Sequence, residues 1–247
     1  MAHPYRTPAP SQWTKADVVR QLASVHGYRR YLEICTATTG FLFAAVREAG
    51  FESCFRLIYR CPDDFDDGEP VDFRSPGDDI SACLAEIKAR GLGFDVIFVD
   101  PHHTYDATTR DLRAAFGLIR PGGALVIHDC DPPNRMMARP DHIPGAWCGV
   151  TYKAFIDFVL GNDRLVYCTV DTDFGCGVIL KQPRRHGLAV ALAAEREKQL
   201  VTAWRAVGND YDRAYDLFAV EKQRLLRLVT VETFRDPERG GPFARRA

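Results

Sequence analysis

The run Asp95-Val96-Ile97-Phe98-Val99-Asp100 constrains this chain more than any other feature. It is continuous, apolar and rich in β-branched residues, as a strand buried on both faces must be. A second such run, Ala124-Leu125-Val126-Ile127-His128-Asp129, follows a helical stretch at 107–119 and a Pro121-Gly122-Gly123 turn. Strands of this kind need helices on both sides of the sheet, which makes an α/β architecture with a parallel sheet the expectation.

The same alternation runs in both directions from there. Residues 13–26 have helical spacing through Val18, Val19, Leu22 and Val25, with Ser11 or Thr14 as cap and Gly27 as terminator. Tyr31-Leu32-Glu33-Ile34 is a short strand, and residues 40–49 are the helix after it. Phe55-Arg56-Leu57-Ile58-Tyr59 is a second strand and Val71-Asp72-Phe73 a weak third. Residues 80–90 and 151–160 read as helices. Two apolar runs at 165–170 and 176–180 flank a short Asp/Gly turn, the pattern of a β-hairpin. The parallel sheet should therefore finish with an antiparallel edge. Beyond Pro183, residues 188–207 and 211–231 are predicted helices whose apolar stripe is either core or a homodimer face. Residues 1–11 read as an extended arm, and the tail from 236 as frayed. The expected division is 1–27, an arm and helix; 28–182, the sheet domain; and 183–247, a helical appendage.

Composition narrows the function. The 247 residues carry 32 Lys and Arg against 33 Asp and Glu, and 46% are hydrophobic. Such a chain folds rather than staying disordered. Without a basic excess, composition makes no case for a nucleic-acid partner. No apolar run approaches the roughly 20 residues of a membrane helix, and the first residues lack the apolar core of an export signal. A soluble, cytoplasmic protein is expected. Its eight cysteines form no C-x-x-C pair, so they read as thiols and not as a structural zinc site.

Ligands of parallel sheets bind beyond the carboxyl ends of the strands, and Glu33, Arg60, Asp100 and Asp129 all fall at such ends. Residues 131–150 form a long irregular stretch around Gly145-Ala146-Trp147-Cys148-Gly149. Loops of that length are usually functional or disordered. Trp147 there either lines an acceptor pocket or anchors the loop, with His142 and Asn134 as weaker candidates.

At this point the residues carry a family likeness. Tyr31-Leu32-Glu33-Ile34, a polar turn and Gly40 resemble the first nucleotide-binding motif of class I S-adenosylmethionine (SAM)-dependent methyltransferases. Residues 94–100, followed by His103, Tyr105 and Asp111-Leu112, look like the fourth-strand segment of that family. Arg120-Pro121-Gly122-Gly123 and the strand ending in His128-Asp129-Cys130 resemble its fifth. The hairpin is similar to the reversed strand pair that closes the fold. The D-x-x-H-x-Y segment points to the small-molecule O-methyltransferase-like branch, and the likeness spans about residues 28–181. It implies a Rossmann-like, doubly wound, mostly parallel sheet with an antiparallel C-terminal hairpin plus C-terminal helices. It also implies SAM as methyl donor and a small-molecule acceptor methylated on oxygen. Cofactor contacts would come from Glu33, Cys35, Thr36, Thr38, Gly40, Arg60, Ser75 and Asp100, and catalysis from His103, Asp129 and His128.

Two positions depart from the family pattern. Cys35 stands where the first glycine of the loop belongs, a position of close backbone approach. It fits only if its φ is negative and its side chain turns away. Arg60 stands where an acid normally accepts bonds from ribose hydroxyls, and arginine has donors only. Asp63 or Asp64 would then substitute, or Arg60 would meet a phosphorylated ribose. These departures keep two rivals open: a repurposed, non-catalytic domain and an NADP-dependent oxidoreductase, the latter without any G-x-G-x-x-G after the first strand. Each site residue also has a plainer reading. Asp100 orients the ligand's amino group, accepts a metal, or caps the turn. His103 is the base, since an imidazole titrates in the useful range, or it holds the loop. Asp129 with Asp100 would offer Mg²⁺ two ligands, with Cys130 a poor third and Asp131 a replacement. Otherwise Asp129 bonds loop amides.

Overall fold

The computed structural model describes residues 13–38, 42–162, 165–181 and 195–236. Its elements run α1 (Lys15–His26), β1 (Arg30–Thr36), α2 (Phe43–Arg47), β2 (Ser53–Tyr59), β3 (Phe73–Arg74), α3 (Ser81–Ala89), β4 (Phe94–Asp100), α4 (Tyr105–Leu118), β5 (Ile119–Ile127), α5 (Thr151–Leu160), β6 (Val166–Val170), β7 (Cys176–Leu180), α6 (Glu195–Val207), α7 (Tyr211–Leu225), β8 (Leu228–Val229) and α8 (Val231–Arg235). They form one eight-stranded sheet in the order β3-β2-β1-β4-β5-β7-β6-β8. The first five strands pair in parallel, and β7 runs antiparallel to both β5 and β6.

Period-two alternation divides the sheet's side chains between two cores. Leu32, Ile34, Leu57, Ile97, Val99, Leu125, Ile127 and Ile179 face one side, where residues of α3, α4, α5, α6 and α7 cover them. Tyr31, Val96, Phe98, Ala124, Val126 and Val178 face the other, against α1 and α2. Both faces of β4 are thus buried, as its sequence requires. Leu200, Trp204, Val207, Phe218, Leu225 and Leu226 belong to the first of these cores, so α6 and α7 bury their stripe against the sheet side.

Several boundaries differ from expectation. Thr14 is the N-cap of α1, in a capping box with Asp17. The helix expected at 40–49 is one short turn-and-a-half, α2. The expected Pro121-Gly122-Gly123 turn lies inside β5, whose pairing with β4 shifts register between Phe94 and Val96. A Cβ on Gly123 would lie 2.5 Å from the Asp95 carbonyl, so only glycine allows that close approach. The helix expected to reach 231 stops at Leu225. Arg227 takes φ 48° and sets its guanidinium over the Tyr167 ring at 4.4 Å. Leu228 and Val229 then pair with Thr169 and Val170 on the open edge of β6, because that edge offers unpaired backbone groups. Ser11, the 1–11 arm, Gly40, residues 188–194 and the tail from 237 lie outside the described residues.

No helix among the described residues is long and apolar enough to cross a membrane. All eight cysteines are free thiols.

Candidate active site at the strand ends

Parallel register brings the chemistry together. Cys35 at the end of β1 pairs with Asp100 at the end of β4, and the His128 N–H donates to the Val99 carbonyl as β5 ends. Asp129 follows in the left-handed region, φ 60°, a conformation that aspartate tolerates better than most residues. Asp100, His103, His128 and Asp129 are all buried. His103 Nε2 and His128 Nδ1 each lie 3.3 Å from Asp129 Oδ2. His128 Nδ1 is also 3.6 Å from Asp100 Oδ2, and its Nε2 is 3.6 Å from Asp173 Oδ1 on the β6–β7 turn.

A residue that the sequence did not single out completes this group. Lys15, the first residue of α1, places Nζ 2.8 Å from Asp100 Oδ2, and its backbone N–H donates to Asp173 Oδ2 at 3.1 Å. The one hint in the sequence was a cation in a helix's first turn, where acids are normally favoured. Burial works against the ammonium, yet the carboxylates of Asp100, Asp173 and Asp129 outweigh it and raise Lys15 above the ordinary lysine value. Burial likewise pushes Asp100 up, but Lys15 and His128 prevail and hold it well below the usual carboxylate range. His128 is opposed by burial, but Asp129 and Asp100 raise it well above an ordinary histidine. The charged forms of Lys15 and His128 are thus favoured beside Asp100 and Asp173, both of which are lowered.

His103 is held from three sides. Its carbonyl accepts the Val150 N–H, its Nδ1 is 3.4 Å from Thr151 Oγ1, and its ring meets Trp147 edge-on at 5.4 Å. Trp147 is buried and anchored by Nε1–H to the Arg139 carbonyl at 2.7 Å. His142 meets the same ring edge-on, while Asn134 Oδ1 accepts the Met137 N–H within the loop. Gly149 passes so close that a Cβ there would lie 2.1 Å from the His103 carbonyl. Tyr105 points elsewhere and donates to Asp157 at 2.7 Å.

The first βα turn satisfies the condition set on Cys35. The residue belongs to β1, has a negative φ, and packs its side chain with Ile58 and Cys61. Its thiol therefore leaves the strand-end backbone approachable. Thr36 and Thr38 bring their hydroxyls within 3.0 Å of each other on that turn; Gly40 beyond them is outside the described residues. Glu33 lies beneath, bonded by the Tyr31 hydroxyl at 2.9 Å and 3.8 Å from the buried Arg56. Burial pushes the Glu33 carboxyl up to about 7, against the pull of Tyr31 and Arg56. Arg60 and Ser75 form a separate group at the ends of β2 and β3. Arg60 grips Asp78 through Nε and Nη2 at 2.7 and 2.8 Å, and Ser75 Oγ donates to the Asp79 carbonyl at 2.7 Å. Arg60 thereby brings a carboxylate, an acceptor, to the place where the sequence shows only a donor.

Asp100, His103 and Asp129 offer one ligand atom each within 4.8 Å of one another. The donor set nevertheless does not fit Mg²⁺. Lys15 holds Asp100, Lys222 Nζ holds both oxygens of Asp131 at 2.9 and 2.8 Å, and the Cys130 thiol is buried against the carbonyls of Ile127 and His128. Magnesium wants near-octahedral oxygen, and both acids invoked beside Asp129 already bind an ammonium.

The family model described as "Methyltransferase domain" matches residues 8–130. Among solved structures, the chain is similar to the O-methyltransferase TomG from Streptomyces achromogenes, solved in complex with SAM. Identity is 18%, with 70% of this chain and 83% of that one covered, at a TM-score of 0.52. It is also similar to an O-methyltransferase from Bacillus cereus in complex with SAH, at 14% identity over 70% and 82% and a TM-score of 0.47. No curated protein matches. At 18% identity the first of these likenesses speaks for the fold alone, that of class I methyltransferases with the reversed β7.

Proposed function

The chain belongs to the methyltransferase-domain family, and from that premise we propose that it transfers a methyl group from SAM to an oxygen of a small-molecule acceptor. The observation that carries this reading is the His103–Asp129 pair, 3.3 Å apart at the adjoining ends of β4 and β5. SAM, when bound, supplies an electrophilic methyl group on a sulfonium. The chain must hold it, orient the acceptor, and take the acceptor's proton.

His103 is the proposed base: its Nε2–H is donated to Asp129, so the hydroxyl proton is taken at Nδ1, the nitrogen beside Thr151 Oγ1, as the oxygen becomes nucleophilic. Asp129 orients the imidazole and stabilises the charge it gains. His128, charged between Asp100, Asp129 and Asp173, fixes Asp129 rather than accepting a proton. Glu33, Cys35, Thr36, Thr38, Gly40 and Asp100 are the proposed cofactor contacts at the first turn, with Arg60 presenting Asp78 to the ribose and Ser75 shaping that loop. Trp147 closes the acceptor side and keeps water from His103. Much of the rate would come from alignment of the two reactants.

The proposed setting is the cytoplasm, consistent with eight free thiols. A homodimer is the proposed assembly, with the exposed Val220 of α7 on the contact face.

Calorimetric titration of the full chain with SAM and with its demethylated product tests the reading. Heat with both is expected. Silence with both at high concentration sinks it. Mass spectrometry of small molecules that copurify, before and after incubation with SAM, would then identify the acceptor by its gain of one methyl group.

A further inference from the structure

The acids that cluster at the ends of β4 and β5 would normally call for a counter-cation. Asp100, Asp129 and Asp173 surround His128 within 3.6 Å, and Asp131 follows two residues after Asp129. Carboxylates this close repel one another strongly once buried. A divalent ion is one solution. This chain shows another.

We propose that Lys15 and Lys222 are tethered cations that take the place of a divalent metal at this site, so that the site operates without one. Lys15 comes from the N-terminal helix and reaches Asp100 at 2.8 Å; Lys222 comes from α7 and bridges both oxygens of Asp131. The two lysines arrive from opposite ends of the chain and meet the two acids that Asp129 would need as co-ligands. Lys15 is the more decisive of the pair. Its side chain is mostly buried, its Nζ stands over the Phe98 ring at 5.8 Å, and its own backbone N–H is fixed by Asp173. An ammonium held there repels an incoming dication and already occupies Asp100 Oδ2. What remains is Asp129 and an imidazole, too few oxygens for a hard ion.

The inference uses the same cluster as the methyl-transfer reading, but its test needs no methyl donor, so the two fail separately. Manganese(II) is the probe, followed by electron paramagnetic resonance of the free ion in titrations of the full chain. Wild type and Lys15→Arg should show only weak binding. Lys15→Met, which takes the ammonium away from Asp100 beside Asp129 and His103, should bind at least about tenfold tighter, a difference of roughly 1.4 kcal/mol. Lys15→Gln removes the charge but keeps a polar side chain; it should bind manganese more tightly than wild type and serves if the methionine variant fails to fold. Tight binding by the wild type, abolished by Asp100→Asn, overturns the proposal. Equal affinity in wild type and the neutral variants overturns it too, whether both are tight or both weak.

Discussion

His103 Nε2 lies 3.3 Å from Asp129 Oδ2, and the two residues come from loops after adjacent parallel strands. Neither loop could align them alone; the β4–β5 register does. Replacing His103 by Gln should leave SAM binding unchanged and lower turnover by about 10²- to 10⁴-fold, the usual worth of a positioned base. Turnover is read by mass spectrometry on whichever hydroxylated acceptor proves active. A His103→Gln enzyme with wild-type turnover would remove His103 as base.

Asp129 carries both a charge and an unusual backbone, and two substitutions separate them. Asn tolerates the left-handed region and Ala does not. Asp129→Asn should unfold within a few degrees of wild type yet lose turnover. Asp129→Ala should lose turnover and, in addition, about 1–2 kcal/mol of stability. Urea unfolding of both variants checks the difference.

Gly149 supports His103 from behind with φ +57° and no room for a methyl group. Gly149→Ala should lower stability by about 2–4 kcal/mol, through backbone strain and overpacking together. The displaced His103 should cost activity as well. Unfolding and turnover, measured on one preparation, should fall together.

Stability should decline as pH rises from 5 to 8. Burial lifts Glu33 from 4.5 to about 7 and Asp111 from 3.8 to about 6. The folded chain keeps these protons where the unfolded chain has lost them. Their contribution is complete below the unfolded values and disappears as pH passes through 6 to 7. His128 adds in the same sense above 6.5, being raised in the fold. Asp100 and Asp173 are lowered and act in the opposite direction, but only on acidification below their ordinary value. Glu33→Gln should flatten the curve of Tm against pH; an unchanged slope would rule Glu33 out as its source.

Deleting everything after residue 181 should prevent folding. The cut removes Trp204, Phe218, Leu225 and Leu226, all buried. Each is worth about 1.5–3 kcal/mol of burial against a total stability of about 5–15 kcal/mol. Circular dichroism with heating decides: a cooperative transition in residues 1–181 would make the C-terminal helices a true appendage.

The alternation of strands and helices was legible because it follows from pattern. Val96 to Val99 announce a doubly covered strand, and Asp100 and Asp129 read as residues where β4 and β5 end. Thr14 as cap and the 165–180 hairpin were equally local. What failed was long-range. Leu228 and Val229 have helical spacing, and only the open edge of β6, some 60 residues earlier, makes them a strand. Gly122 and Gly123 read as a turn because nothing local shows that Asp95 lies against them. Lys15 was missed for the same reason: its partner is Asp100, 85 residues away, and a cation in a helix's first turn hints at an acid without naming which one.

Trp13 packs edge-on against Phe234, and Gln21 donates to the Arg235 carbonyl. The first and last described segments thus meet beside the hairpin turn that holds Lys15. A chain still leaving the ribosome cannot complete these contacts until residues 234 and 235 have emerged. Until then α1, and with it the ammonium over Asp100, lacks these two holds.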